Sequence, residues 1–243
     1  MRKLAWIFAG LMLLGGPAAA ADNAASQPAP QPESIVVAQS ANKVISFRPK
    51  VKGAPTRRSG GASRGPADTN TAALSVLATE DTGLTTAASP KLVWFVSEDV
   101  DATVEFVLIG AEAIDPNVQK VLPSPVKKGF HVIDLSQFGA ELKVGEEYIW
   151  SVALVHDDAK RSLDVVSEGT IQRVEAPAGL GDVAGKPAAD QAAAYAGEGI
   201  WYDAIAALDK AIADNPGDAG LKQSRADLLR QVGLEDAAKF GGG

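Results

Sequence analysis

Between residues 74 and 174 the apolar side chains recur at every second position, in short runs separated by Gly, Pro and Asp. Leu74, Val76 and Ala78 alternate with Ser75, Leu77 and Thr79. Leu92, Trp94 and Val96 share one face of the run that follows Pro90. Val104, Phe106 and Leu108 alternate against Glu105 and Val107, and Phe130 and Val132 against His131 and Ile133. Tyr148, Trp150 and Val152 point one way, and Ile149, Ser151 and Ala153 the other. A period of two with aromatic and β-branched residues is the mark of half-buried strands. A short extended piece is expected at Gly83–Thr86, an edge strand at Val118–Leu122, and two last pieces at Leu163–Val166 and Gly169–Val174. Ser136 to Ala140 reads as a single helical turn. His156-Asp157-Asp158-Ala159-Lys160-Arg161 reads as a polar hairpin tip.

About seven or eight short strands with turn signals at these intervals predict an immunoglobulin- or fibronectin-like β-sandwich over residues 74–175. The stretch from Leu142 to Val152 is its expected central strand. Leu142 and Gly145 ahead of Tyr148 have the spacing of a tyrosine corner, in which a buried Tyr hydroxyl bonds main chain a few residues upstream. Trp94 and Trp150 are the expected core partners.

Residues 176–186 form a Gly/Pro/Ala linker, and beyond it the period changes. Trp201, Ala204, Ile205, Leu208 and Ile212 fall on one face of a helix that Asn215-Pro216-Gly217 ends. A helix from Pro187 to about Gly197, carrying Ala192 and Tyr195, completes a hairpin. Asp218 can N-cap a further helix with Leu221, Leu228, Leu229 and Val232 inward, before Gly233 breaks it. Trp201 and Tyr202 are neighbours on a helix, so both are not expected to face fully inward. Residues 187–240 are thus a helical hairpin region with one further helix.

The first residues carry an address. Arg2 and Lys3 precede an uncharged apolar run, Leu4–Leu14, which Gly15-Gly16-Pro17 breaks. Ala19 and Ala21 then stand at the −3 and −1 positions of a cleavage site before Asp22. Residues 1–21 read as a secretory signal peptide. The run is shorter than the ~20 residues a bilayer span needs, so no stable membrane span is expected after cleavage. Residues 22–42, rich in Ala, Pro, Gln and Ser, read as a disordered linker. The expected location is periplasmic or secreted.

Charge changes this picture at residues 43–73, a Gly/Pro-rich basic arm. Lys43, Arg48, Lys50, Lys52, Arg57, Arg58 and Arg64 occur there with no acid between 43 and 64. Val44–Phe47 suggests a short strand. The arm either packs on the acidic remainder or offers Arg57, Arg58 and Arg64, with Gly-rich main chain, to an anion or a partner. It lacks the Gly-Lys-Ser/Thr ending of a phosphate loop. The whole chain carries −7; losing Arg2 and Lys3 takes it to −9, which argues against nucleic acid as a partner.

Reactive chemistry is sparse. There is no Cys, which excludes disulfides, thiolate catalysis and Cys-bound metal, and there are only two His. His156-Asp157-Asp158 and the Glu98, Asp99, Asp101 cluster read as polar turns before they read as cation sites, and no calcium-loop pattern occurs. No Gly-x-Ser-x-Gly is present. No cofactor and no catalytic residue is expected. Trp94, Trp150, Trp201 and Tyr202 raise the alternative of sugar stacking, but their periodic positions place them in the core.

Two resemblances add to this reading. Tyr195, Gly199, Trp201, Ala204, Leu208, Ala211 and Pro216 are spaced as in a tetratricopeptide repeat, with Gly233–Ala238 at most a degenerate second one. Several motifs in order resemble a bacterial secreted family known as number 928 of the domain-of-unknown-function series. They are Phe47-x-Pro49, Gly53-x-Pro55, Arg58-x-Gly60-Gly61-x-x-Arg64-Gly65, and Gly83-Leu84-Thr85-Thr86 with Pro90 and Trp94-Phe95. Glu105-Phe106-Val107-Leu108, Gly145-x-x-Tyr148-x-Trp150 and Gly199-Ile200-Trp201-Tyr202-Asp203-Ala204 continue them. Where that family often has a Cys after Arg-Gly, this chain has Pro66. The resemblance implies envelope export and supplies no activity. The function expected is a non-catalytic module that binds another envelope protein. An envelope polysaccharide-binding domain and, more remotely, an enzyme acting on envelope polymers are the alternatives.

Overall fold

The computed structural model describes residues 44–50 and 72–241. In chain order they form β1 (Leu74–Val76), β2 (Gly83–Thr85), β3 (Lys91–Val96), β4 (Thr103–Gly110), β5 (Val118–Leu122), β6 (Gly129–Asp134), β7 (Glu147–Val155) and β8 (Val165–Arg173). Four helices follow: α1 (Ala188–Gly197), α2 (Trp201–Asp214), α3 (Ala219–Gln231) and α4 (Glu235–Gly241). One sheet has the order β1-β3-β6 and the other β2-β8-β7-β4-β5. All neighbours are antiparallel except β2 and β8, which run parallel.

β7 is the middle strand of the larger sheet, as the alternation around Trp150 predicts. Its inward residues Tyr148, Trp150, Val152 and Leu154 are buried, and the residues between them are half-exposed. The Tyr148 hydroxyl accepts from the Lys143 N–H at 3.2 Å and donates to Glu146 at 3.1 Å. It thereby ties the entry loop to the strand. The single turn at Leu135–Phe138 forms because the Asp134 carboxylate accepts from the Ser136 N–H.

Four features differ from the expectations. The two pieces at Leu163–Val166 and Gly169–Val174 are one strand, β8, and a single turn at Arg161–Leu163 precedes it. Gly169 is interior to the strand because a Cβ there would lie 2.4 Å from the Ala78 Cβ. Residues 44–47 form no strand; they run alongside the helices. A fourth helix, α4, follows Gly233, where only one helix beyond the hairpin was expected. Trp201 and Tyr202 are both fully buried.

The double burial has a packing cause. β3 is buried on both faces, with Leu92, Val93, Trp94, Phe95 and Val96 all at 2% exposure or less. Val76 and Ala78 lie against Gly169 of the larger sheet, and Val76 pairs with Trp94. On the opposite face of β3, Phe95 meets Phe130 and Phe240 of α4, each at 5.2 Å between ring centroids. The smaller sheet is therefore the middle layer. The start of α2 lies where the sheets meet, so its two aromatics go to different partners. Trp201 Nε1 donates to the Leu77 carbonyl at 2.7 Å. The Tyr202 hydroxyl donates to the Thr170 carbonyl and accepts from Trp150 Nε1, both at 2.8 Å. Arg225 of α3 pairs with Asp209 of α2 at 2.9 Å and lies 3.6 Å over the Phe130 ring. Burial pushes the Asp209 carboxyl up in spite of that guanidinium.

Removing the Tyr202 hydroxyl leaves the Trp150 N–H and the Thr170 carbonyl buried without it. Tyr202→Phe is expected to lower unfolding free energy by about 2–4 kcal/mol. Tyr148→Phe, which frees the Lys143 N–H and the part-exposed Glu146 carboxylate, is expected to cost about 1 kcal/mol. Equal denaturant midpoints for wild type and Tyr202→Phe would overturn this account of the sheet–helix junction.

Candidate functional site

A pocket of about 260 Å³ opens where residues 47–50, the β1–β2 connection, the α1–α2 corner and the α3–α4 corner meet. Each wall has a local cause. Residues 44–50 run extended along the helices. The Gln231 side chain accepts from the Phe47 N–H and donates to the Ile45 carbonyl, both at 2.8 Å. One amide thus serves two main-chain groups as a neighbouring strand would. The Arg48 N–H donates to the Ala196 carbonyl at 3.1 Å. Lys50 pairs with Glu198. Ile45 is buried, and Phe47 meets the Trp201 ring edge-on at 5.0 Å. Gly199 is held at φ +72°, and a Cβ there would lie 2.5 Å from the Arg48 carbonyl. Only glycine allows this corner and this approach together.

On the strand side, Gly83 faces Tyr202 so closely that a Cβ would lie 2.6 Å from the ring. The Thr79 hydroxyl donates to the Asp81 carbonyl and the Thr82 hydroxyl to Glu147, both at 2.6 Å. Phe47, Pro49, Leu84 and Val232 supply apolar wall, and Lys50, Glu80 and Asp81 supply charge.

Asp203, in the first turn of α2, lies close behind this wall. It accepts from the Thr85 hydroxyl, the Thr86 N–H and the Thr86 hydroxyl. Burial raises its pKa, and the three donors lower it less than burial raises it. Desolvation raises the Tyr195 hydroxyl, and the Asp203 charge adds to it. The carboxylate is fully engaged with β2 and the turn after it, which makes it a clamp on α2.

Several other sequence candidates have structural occupations. Asp157 accepts from the Ala159 N–H, and Asp158 lies 3.9 Å from Arg161. Asp99 binds Lys127 and the Lys128 N–H, and these hold its carboxyl below the ordinary range. His131 stacks on Trp94 at 4.6 Å and its Nε2 meets the Lys127 carbonyl at 2.7 Å. Among the described residues, no group of three or more His, Cys, Asp or Glu is arranged to hold a metal. Trp94, Trp150, Trp201 and Tyr202 are all buried, so none of the four presents a face for sugar stacking. Arg57, Arg58 and Arg64 lie outside the described residues, as do residues 1–21, expected to be a signal peptide, and residues 22–42, expected to be a linker. Among the described residues, no helix is long and apolar enough to cross a membrane.

The sequence reading did not single out Asp203, Gln231 or Glu198. Asp203 falls inside the motif Gly199–Ala204, but an acid in a helix's first turn reads as dipole complement. Arg161 was placed only in a polar tip. It forks onto Glu105 at 3.0 and 2.6 Å and reaches Asp164 at 2.8 Å, which pins the β7–β8 connection to β4.

Residues 59–240 match the family described as Domain of Unknown Function (DUF928). The chain belongs to this family. The DUF928 match runs through both sheets and into α4, so strands and helices are parts of one family unit. No curated protein sequence matches the chain.

Because the native pKa of Asp203 lies above the ordinary 3.8, the folded state takes up this proton first. The contribution of Asp203 to stability therefore rises as pH falls through its native pKa toward 3.8, and is level on either side of that window. Asp203→Asn removes the titration. The stability of wild type minus variant is expected to grow on acidification from neutral pH to pH ~4. A difference that shrinks over that range would reverse the sign.

Proposed function

We propose that this chain is exported to the cell envelope and works there as a non-catalytic module that binds another envelope protein. The observation that carries the reading is the composition of the pocket. Its walls are apolar side chains and main chain, with Lys50, Glu80 and Asp81 at hand, as suits an extended polypeptide segment. The hydroxyls beside it are committed: Thr79 and Thr82 to Asp81 and Glu147, Thr85 and Thr86 to Asp203. The two His are elsewhere, on β6 and after β7.

The scaffold reading that goes with this is an immunoglobulin-like sandwich bearing a tetratricopeptide-like helical pair. Its support is the strand order, in which β1 and β2 join different sheets and β2 runs parallel to the last strand. The Tyr148–Lys143 bond adds the corner. For the helices, the support is the α1–α2 hairpin with Gly199 at its corner and Pro216 after α2.

Affinity capture from envelope extracts, at low and high salt, tests the binding role. One recurrent protein partner is expected, released at high salt if the basic arm contributes. Recovery of no partner under either condition counts against the reading. Mass analysis of the envelope fraction tests export, with a mature chain beginning at Asp22 expected. A chain found only in the cytoplasm with Met1–Ala21 intact would refute export.

A further inference from the structure

The two sheets have four edge strands, β1 and β6 in the smaller and β2 and β5 in the larger. Strand edges present unpaired main-chain groups, and proteins blunt them with shortness, proline or inward-pointing charge. β1 and β2 are three residues each. β5 carries Lys120 opposite the buried Phe106, so a charge points to the inner face of that edge, and Pro116 and Pro123 flank the strand. β6 has none of these. It is six residues, Gly-Phe-His-Val-Ile-Asp, without proline or lysine, and Val132 is 45% exposed on it.

The register shows which groups are free. In β3 the Val93 carbonyl accepts from Leu77, on the β1 side. Alternate residues of a strand address opposite neighbours. Leu92, Trp94 and Val96 therefore address β6, where they pair with Ile133, His131 and Gly129. The Leu135 N–H bonded to the Pro90 carbonyl continues that pattern. The main-chain N–H and C=O of Phe130, Val132 and Asp134 point away from the sheet, and no bond to them occurs among the described residues.

We propose that β6 is a pairing edge and that it pairs with β6 of a second copy of this chain, antiparallel, across a two-fold axis at Val132. That register sets Phe130 opposite Asp134 of the second copy, Val132 opposite its own counterpart, and Asp134 opposite Phe130. All three outward residues on each strand are then bonded. Only an uncharged residue meets itself. Lys128, exposed and two positions before Phe130, is diagonal to Asp134 of the second copy, and the two-fold repeats the pair. A register centred on Asp134 would set two carboxylates face to face. One centred on Phe130 would call on the Lys128 N–H, which is already bonded to Asp99 at 2.9 Å. The self-match of this strand is what selects a second copy as occupant. The proposal goes beyond the pocket and its envelope partner, and either can fail alone.

The absence of native cysteine makes the test clean. Hydrogen-bonded antiparallel pairs have Cα atoms ~5.5 Å apart, inside the ~4.4–6.8 Å disulfide range. Under mild oxidation Val132→Cys is expected to run mainly as a dimer on a non-reducing gel. Val121→Cys, on the blocked β5 edge and 68% exposed, should remain monomeric. Sedimentation of the wild type should show a concentration-dependent dimer. Val132→Pro should abolish it with unchanged circular dichroism, because the lost N–H points outward. Should Val132→Pro unfold, the cysteine pair decides. A wild type monomeric at every concentration, with Val132→Cys no more cross-linked than Val121→Cys, overturns the proposal. So does a monomer whose β6 edge captures a different protein.

Discussion

The hydrogen-bonded relay from Trp150 through the Tyr202 hydroxyl to the Thr170 carbonyl is the constraint on which the arrangement depends. It is buried, so each of its polar groups needs the others. It joins the middle strand of the larger sheet to the first turn of α2. The neighbouring Trp201–Leu77 bond joins the same turn to the chain just after β1. One helical turn is thus fixed to both sheets by two adjacent aromatic side chains, and the orientation of the helices follows from it. Gly83 and Gly169 are the backbone side of the same constraint, since each leaves room that a methyl group would fill.

The hydrophobic core is accordingly continuous, from Ile45 through the sheets to Ala238. A sheet with one face to water would leave Val93 and Phe95 exposed. The helices cover that face, and the alternation of β3 disappears into a run of buried residues. Ionic contacts are secondary to this. Arg161 is half-exposed, and its fork onto Glu105 holds that carboxyl low. Its weight falls as the pH drops below the ordinary glutamate value of 4.5. Arg225 and Asp209 are more deeply placed, where the loss of one partner would strand the other.

Local pattern made the strands legible. Tyr148, Trp150 and Val152 alternate on a sheet with one inner face, and a period of two is visible wherever that holds. The helices were legible from Trp201 to Ile212 because one face there is apolar. The layering was not. Leu92 to Val96 is an unbroken apolar run, which fits a strand covered on both faces but does not say that the second cover is helical. The double burial of Trp201 and Tyr202 depends on partners more than 30 positions away in sequence. The short α4 is rich in Ala and Gly and offers little periodicity, so Gly233 looked like an end rather than a corner. At the pocket, Phe47, Leu84 and Gly199 lay in quoted motifs. Gln231 did not, because a glutamine near a helix end carries no local sign that its amide will meet a distant segment.

That amide has a mechanical meaning. Residues 44–50 are attached by Gln231 of α3, by Arg48 to the Ala196 carbonyl of α1, and by Lys50 to Glu198 at the α1–α2 corner. A pull on residue 44 would load α3 and the α1–α2 corner first. Tension would reach the sheets through the start of α2 and through the contacts of Arg225 and Phe240 with Phe130 and Phe95. Strain applied at that end is therefore met first by the helical layer and only then by the strands.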